Sequence, residues 1–155
     1  MDPAGDLVQQ RRDAWTRGAD NLRYVRRALA KSESRFDWSN VVLIGHSLGG
    51  DSSAAYASEP GAQVRAVITL DNRRAALPRV ATTRVLSLRA SDTQADAGVL
   101  PTLDEQREFN ICIVKIAGSR YNDMEDARSA ELKQKIIASI KAFLQEDVHA
   151  TCPIE

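Results

Sequence analysis

Apolar and polar positions along the chain change period several times, and each change marks an element. From residue 7 to residue 32, Trp15, Ala19, Leu22, Val25 and Leu29 recur at helical spacing. That predicts one long helix with a single apolar face. Val41-Val42-Leu43-Ile44 is an unbroken apolar run, as expected of a strand covered on both faces. Residues 48–58 suit a helix, which Glu59-Pro60-Gly61 stops. Residues 64–70 and 84–88 predict two more strands, separated by a basic loop at 71–79. A polar loop spans 90–101. Thr102 is then placed as a helix N-cap, with Glu105 as its capping-box partner and Asn110 closing that short helix. Residues 111–116 predict the fourth strand and 118–126 a loop. Leu132, Ile136, Ile137, Ile140 and Leu144 give residues 130–144 a strong apolar helix face, and 145–155 is expected to fray.

Short apolar strands alternating with helices imply parallel βαβ units. The expected fold is α/β, a three-layer α/β/α arrangement with a parallel sheet of about four strands. A chain of 155 residues suits one domain, residues 1–155, with a real core. Basic and acidic residues balance at 21 each, so no basic stripe argues for nucleic acid or an anionic membrane. The arginine-rich stretch at 11–35 is interspersed with Asp13, Asp20 and Glu33 and reads as a solvated helix face. No apolar run reaches the roughly 18 residues of a membrane span. The N-terminal residues lack the basic start and apolar core of a signal peptide, so a cytoplasmic location is expected. Cys112 and Cys152 are too few for a disulfide framework or a metal cluster, and Cys112 reads as core. No cofactor and no metal are expected.

Gly45-His46-Ser47-Leu48-Gly49 has the G-x-S-x-G spacing between an apolar strand and a helix. This pattern is common by chance, but the strand-turn-helix setting is what a nucleophile elbow needs. There a serine is held at a sharp turn with its hydroxyl exposed above the sheet, which makes Ser47 a candidate nucleophile. A Cβ at Gly45 or Gly49 is expected to clash in so tight a turn. Ligands of open α/β sheets bind beyond the carboxyl ends of the strands. The polar residues there are Ser47, then Asp71 and Asn72, then Ser91, Asp92 and Asp96, then Arg120, Tyr121, Asn122 and Asp123.

From the helix before the elbow, through Gly-His-Ser-Leu-Gly-Gly, to the closing helix, the chain resembles the C-terminal half of an α/β-hydrolase. The likeness is to the lipase, esterase and dienelactone-hydrolase kind. It implies a partial α/β-hydrolase fold and a serine hydrolase acting on an ester or related acyl bond of a small molecule. Ser47 would attack, and the Leu48 N–H would serve the oxyanion hole. The acid would be Asp92, with Asp96 as second choice and Asp71 at a less common position. The family's histidine lies in the loop after the last strand, which here reads Gly118-Ser119-Arg120-Tyr121-Asn122-Asp123-Met124. Tyr121 stands at the histidine position, and tyrosine, with a reference pKa near 10, is a poor base at neutral pH. His46 is expected to point away from Ser47, and His149 to be a surface residue beyond the last helix. These departures support a second reading, a catalytically degenerate binding or interaction module. The family also has strands before the elbow strand. Without them, the edge at residues 41–44 is expected to self-associate, to be completed by a second chain, or to belong to a longer protein.

Overall fold

The computed structural model describes residues 6–124, 129–145 and 152. Helix α1 (Leu7–Ser32) leads into β1 (Val41–His46), α2 (Leu48–Ala57), β2 (Val64–Leu70) and β3 (Arg84–Arg89). Then come α3 (Leu103–Glu108), β4 (Ile111–Lys115), a 3-10 turn at Tyr121–Met124 and α4 (Ala130–Gln145). The four strands form one parallel sheet in the order β1-β2-β3-β4. The chain is α/β, as its alternating pattern predicts.

Strand alternation sends side chains to two faces. Leu43, Val67 and Val85 share one face through the pairings Leu43–Val67 and Val67–Val85. There Ala19 of α1 and Tyr56 and Ala57 of α2 pack on Val64 and Val67. Further along, Leu77, Leu100 and Phe109 cover Val85 and Ile111. On the other face Ala66, Ile68, Leu86, Leu88 and Cys112 lie with Phe143, Ile136 and Ile140 of α4. Helices thus cover both faces, the geometry that lets strands be apolar throughout. Coverage is incomplete at β1, where Ile44 is 53% exposed. The apolar stripe of α1 is also longer than its contact: Ala19 is buried, but Val25 and Leu29 are exposed.

Close approach of α1 to α2 explains one glycine. A Cβ on Gly18 would lie 2.0 Å from Ser52 Oγ. The hydroxyls of Ser52, Ser53 and Ser58 donate to the carbonyls of Leu48, Gly49 and Ala54, each at 2.8 Å. Hydroxyls within the helix are satisfied this way without outside partners. Asp6 caps α1 through the Val8 and Gln9 N–H groups. The expected capping box of Thr102 and Glu105 is present. Glu105 also accepts from Arg79 Nε at 2.8 Å. The Arg79 bond first, then the Thr102 N–H, holds the Glu105 carboxyl below its ordinary value.

The cysteines correct one expectation. Cys112 is buried in the core, but it is also bonded to Cys152, with Cα atoms 5.2 Å apart. A separation of 40 residues gives no local spacing cue. The fraying expected at 145–155 falls outside the described residues, apart from Gln145 in α4 and Cys152. No described helix is long and apolar enough to cross a membrane.

Candidate active site

All four strands run the same way, so their carboxyl ends gather at one edge of the sheet. Ser47 sits there between β1 and α2 with φ 52° and ψ −119°, a conformation L-residues rarely adopt. The surrounding structure imposes it. Ser47 N–H donates to Leu70 O at 2.9 Å, and Asp51 N–H donates to Ser47 O at 2.9 Å. Gly45 is required sterically, since its Cβ would fall 2.3 Å from the Gly49 carbonyl carbon. Gly49 is a correction: a Cβ there meets nothing within 4 Å. The second crowded glycine is Gly50, whose Cβ would lie 2.9 Å from Gly45 O and 3.0 Å from Asn72 Cβ. The turn is tight beneath the helix start, and position 49 faces away from it.

Leu48 is the first residue of α2, so its N–H has no intrahelical acceptor and projects from the positive end of the helix. The Tyr121 hydroxyl donates to Ser47 Oγ at 2.5 Å. The Tyr121 N–H donates to Asp92 Oδ1 at 2.8 Å. Ser47, Tyr121 and Asp92 therefore meet, although 74 residues separate the first two. The exposed Asp92 holds the backbone of the 3-10 turn that presents the phenol. Two groups brace the ring: His46 at 5.0 Å between centroids, and the Arg73 guanidinium at 4.6 Å. His46 has a buried Nε2 with no hydrogen-bond partner, and no bond links it to Ser47. His149 lies outside the described residues.

The other acids have structural partners. Asp71 is fully buried with φ 49°. Its carboxylate accepts from Ala90 N–H at 3.1 Å and Thr93 Oγ1 at 2.6 Å, and it pairs with Arg89 at 3.2 Å. Burial pulls the Arg89 guanidinium below its ordinary value, against the opposing pull of Asp71. Asp96 pairs with Arg74, whose hydrogen bond holds its carboxyl below the usual range.

The chain matches no protein-family model, no curated protein and no solved structure.

Two features of the site escape the sequence motif. Asp51, in the first turn of α2, accepts from the N–H groups of Arg74 and Ala75 at 2.9 Å each. It pins the loop after β2 to the elbow helix, and so places Arg73 over Tyr121. An acidic residue four positions after the serine, at a helix N-terminus, is the cue that could have found it. A cavity of about 230 Å³ also opens beside Ser47, lined by Arg11, Trp15, Leu48, Asp51, Arg73 and Arg74 among others. Among the described residues no group of three metal-ligating side chains occurs.

Proposed function

We propose that the chain is a serine hydrolase of the α/β-hydrolase type, acting on an ester or related acyl bond. The observation that carries this reading is the strained backbone at Ser47 together with the 2.5 Å contact between its hydroxyl and Tyr121. Ser47 Oγ attacks the carbonyl carbon, and its proton passes to the Tyr121 oxygen once that phenol is ionised. The developing oxyanion faces the Leu48 N–H at the start of α2. The alcohol leaves with a proton returned from Tyr121, and water then releases the acid from Ser47. Asp92 acts by holding the Tyr121 backbone.

The step needs an ionised phenol, and a neutral phenol is a poor base, so turnover is slow. A fluorophosphonate probe and a short p-nitrophenyl ester test this. The expected result is a covalent adduct at Ser47 and slow hydrolysis, both absent in Ser47→Ala. No adduct, and no hydrolysis above that variant, would sink the reading.

The degenerate reading has its own support. The neutral phenol donates to Ser47 Oγ, which is the wrong direction for taking its proton. A module that binds without turnover would keep this bond.

The partner proposed for the sheet is a second chain along β1. Among the described residues β1 pairs only with β2, and Ile44 stands exposed beside that edge. Exposed apolar edges associate. Sedimentation is expected to show association that Ile44→Lys weakens, whereas a stable wild-type monomer at all concentrations would count against it. The proposed substrate is a small ester-like molecule, with no nucleic acid or membrane partner. A cytoplasmic setting is also a proposal, and the Cys112–Cys152 disulfide counts against it.

A further inference from the structure

The cavity beside Ser47 carries an unusual charge balance. Three guanidinium-bearing residues, Arg11, Arg73 and Arg74, line about 230 Å³ together with Trp15. All three are half-buried, a placement that disfavours charge without a partner. Arg74 has its partner in Asp96, whose charge also reaches Arg11 and Arg73 without a hydrogen bond to either. The one carboxylate in the lining, Asp51, is occupied by the backbone N–H groups of Arg74 and Ala75 and by Asn72. Among the described residues, no acceptor is hydrogen-bonded to the guanidinium of Arg11 or of Arg73. Arg73 lies over the face of Tyr121, which engages its π surface and leaves its N–H edge unsatisfied. A planar fork of donors with no acceptor, in a pocket that also contains the nucleophile, suits a carboxylate.

We infer that this cavity is an anion subsite, in which Arg11 and Arg73 hold the carboxylate of a small acyl substrate while its ester carbonyl lies at Ser47. The cavity is smaller than the roughly 300 Å³ at which drug-sized pockets begin, so the acid is short. Trp15 supplies an apolar wall for the few carbons between carboxylate and ester. The place of the anion in a substrate rests on the hydrolase reading, whereas the binding of the anion does not.

The test separates the two. Glutarate and its uncharged diamide are titrated into the whole chain at constant ionic strength, following the arginine side-chain resonances. The same is done for Arg11→Gln and Arg11→Glu, whose fold is checked by thermal melting. In parallel, the monomethyl ester of glutaric acid is compared with the dimethyl ester as substrate. Glutarate is expected to bind saturably and the diamide not to bind. Arg11→Gln should weaken glutarate by about tenfold, the value of one charged hydrogen bond, and Arg11→Glu by more. The wild-type preference for the monoester should fall in step. Saturable glutarate binding with no ester turnover upholds the subsite and fails the hydrolase reading. Turnover of both esters alike, with no saturable glutarate binding, upholds the hydrolase and overturns the subsite. Tighter binding of inorganic phosphate than of glutarate overturns the assignment to a carboxylate.

Discussion

Tyr121→His is expected to raise ester turnover at pH 7 by about 10²-fold, the lower end of what a positioned acid–base group contributes. The Tyr121 oxygen already lies 2.5 Å from Ser47 Oγ, so position 121 points at the nucleophile. Imidazole titrates near neutrality and can take the serine proton there, which a neutral phenol cannot. The estimate is set low because imidazole is shorter than phenol, so the contact closes through one water or a small shift of the 3-10 turn. Asp92 is placed to help. One of its oxygens holds the residue-121 N–H, and the other can accept from the new ring. Components of a catalytic unit are strongly non-additive. Ser47→Ala should therefore remove the slow hydrolysis of the wild-type chain and nearly the whole gain in the histidine variant. The measurement is kcat/KM for p-nitrophenyl acetate across the four proteins. Equal rates for wild type, Tyr121→His and the double variant would overturn the assignment of position 121 as the base site.

Which parts were legible in the sequence follows from the range of the forces involved. Val41-Val42-Leu43-Ile44, the Thr102–Glu105 capping box and the chain stop at Pro60-Gly61 are local signals, and each marks its element within a residue or two. Gly45 was legible because the elbow closes over five residues. Position 49 was misread because the motif's two glycines look equivalent in sequence, while only the first faces the backbone of α2. The Ser47–Tyr121 contact was expected only from the family resemblance, because strand order puts β1 and β4 at opposite edges of the sheet. What could not be read is contact between side chains of different loops. Arg73 looks like one of several arginines in a basic loop, and only the grip of Asp51 on that loop aims it at Tyr121. Asp71 follows β2 as Asp92 follows β3, and only the structure shows its burial beside Arg89. The apolar run along α1 overstated its burial, because helical periodicity shows a face and not the length of the surface it meets.

The Asp71–Arg89 pair supplies the largest expected loss of stability. Both side chains are almost wholly buried, Asp71 at 0% and Arg89 at 6% side-chain exposure. Two charges in such a place are costly to desolvate, and removing one strands the other. Asp71→Asn keeps the shape but leaves a guanidinium inside the protein. Arginine stays protonated at every accessible pH, so the chain cannot shed that charge. The cost should be about 3–5 kcal/mol. Arg89→Met strands the carboxylate instead. It keeps the Ala90 N–H and the Thr93 hydroxyl as donors, so the cost should fall at the lower end of that range. It also frees the Asn72 carbonyl that Arg89 holds, loosening the loop that carries Arg73. The double variant, Asp71→Asn with Arg89→Met, removes both charges and should recover much of the loss, because a buried pair is worth little against a neutral replacement. Denaturant unfolding of the four proteins gives the coupling energy directly. Single variants that each lose less than about 1 kcal/mol, or a double variant that loses the sum of the two, would show that the pair is not what holds β2 and β3 together at the site.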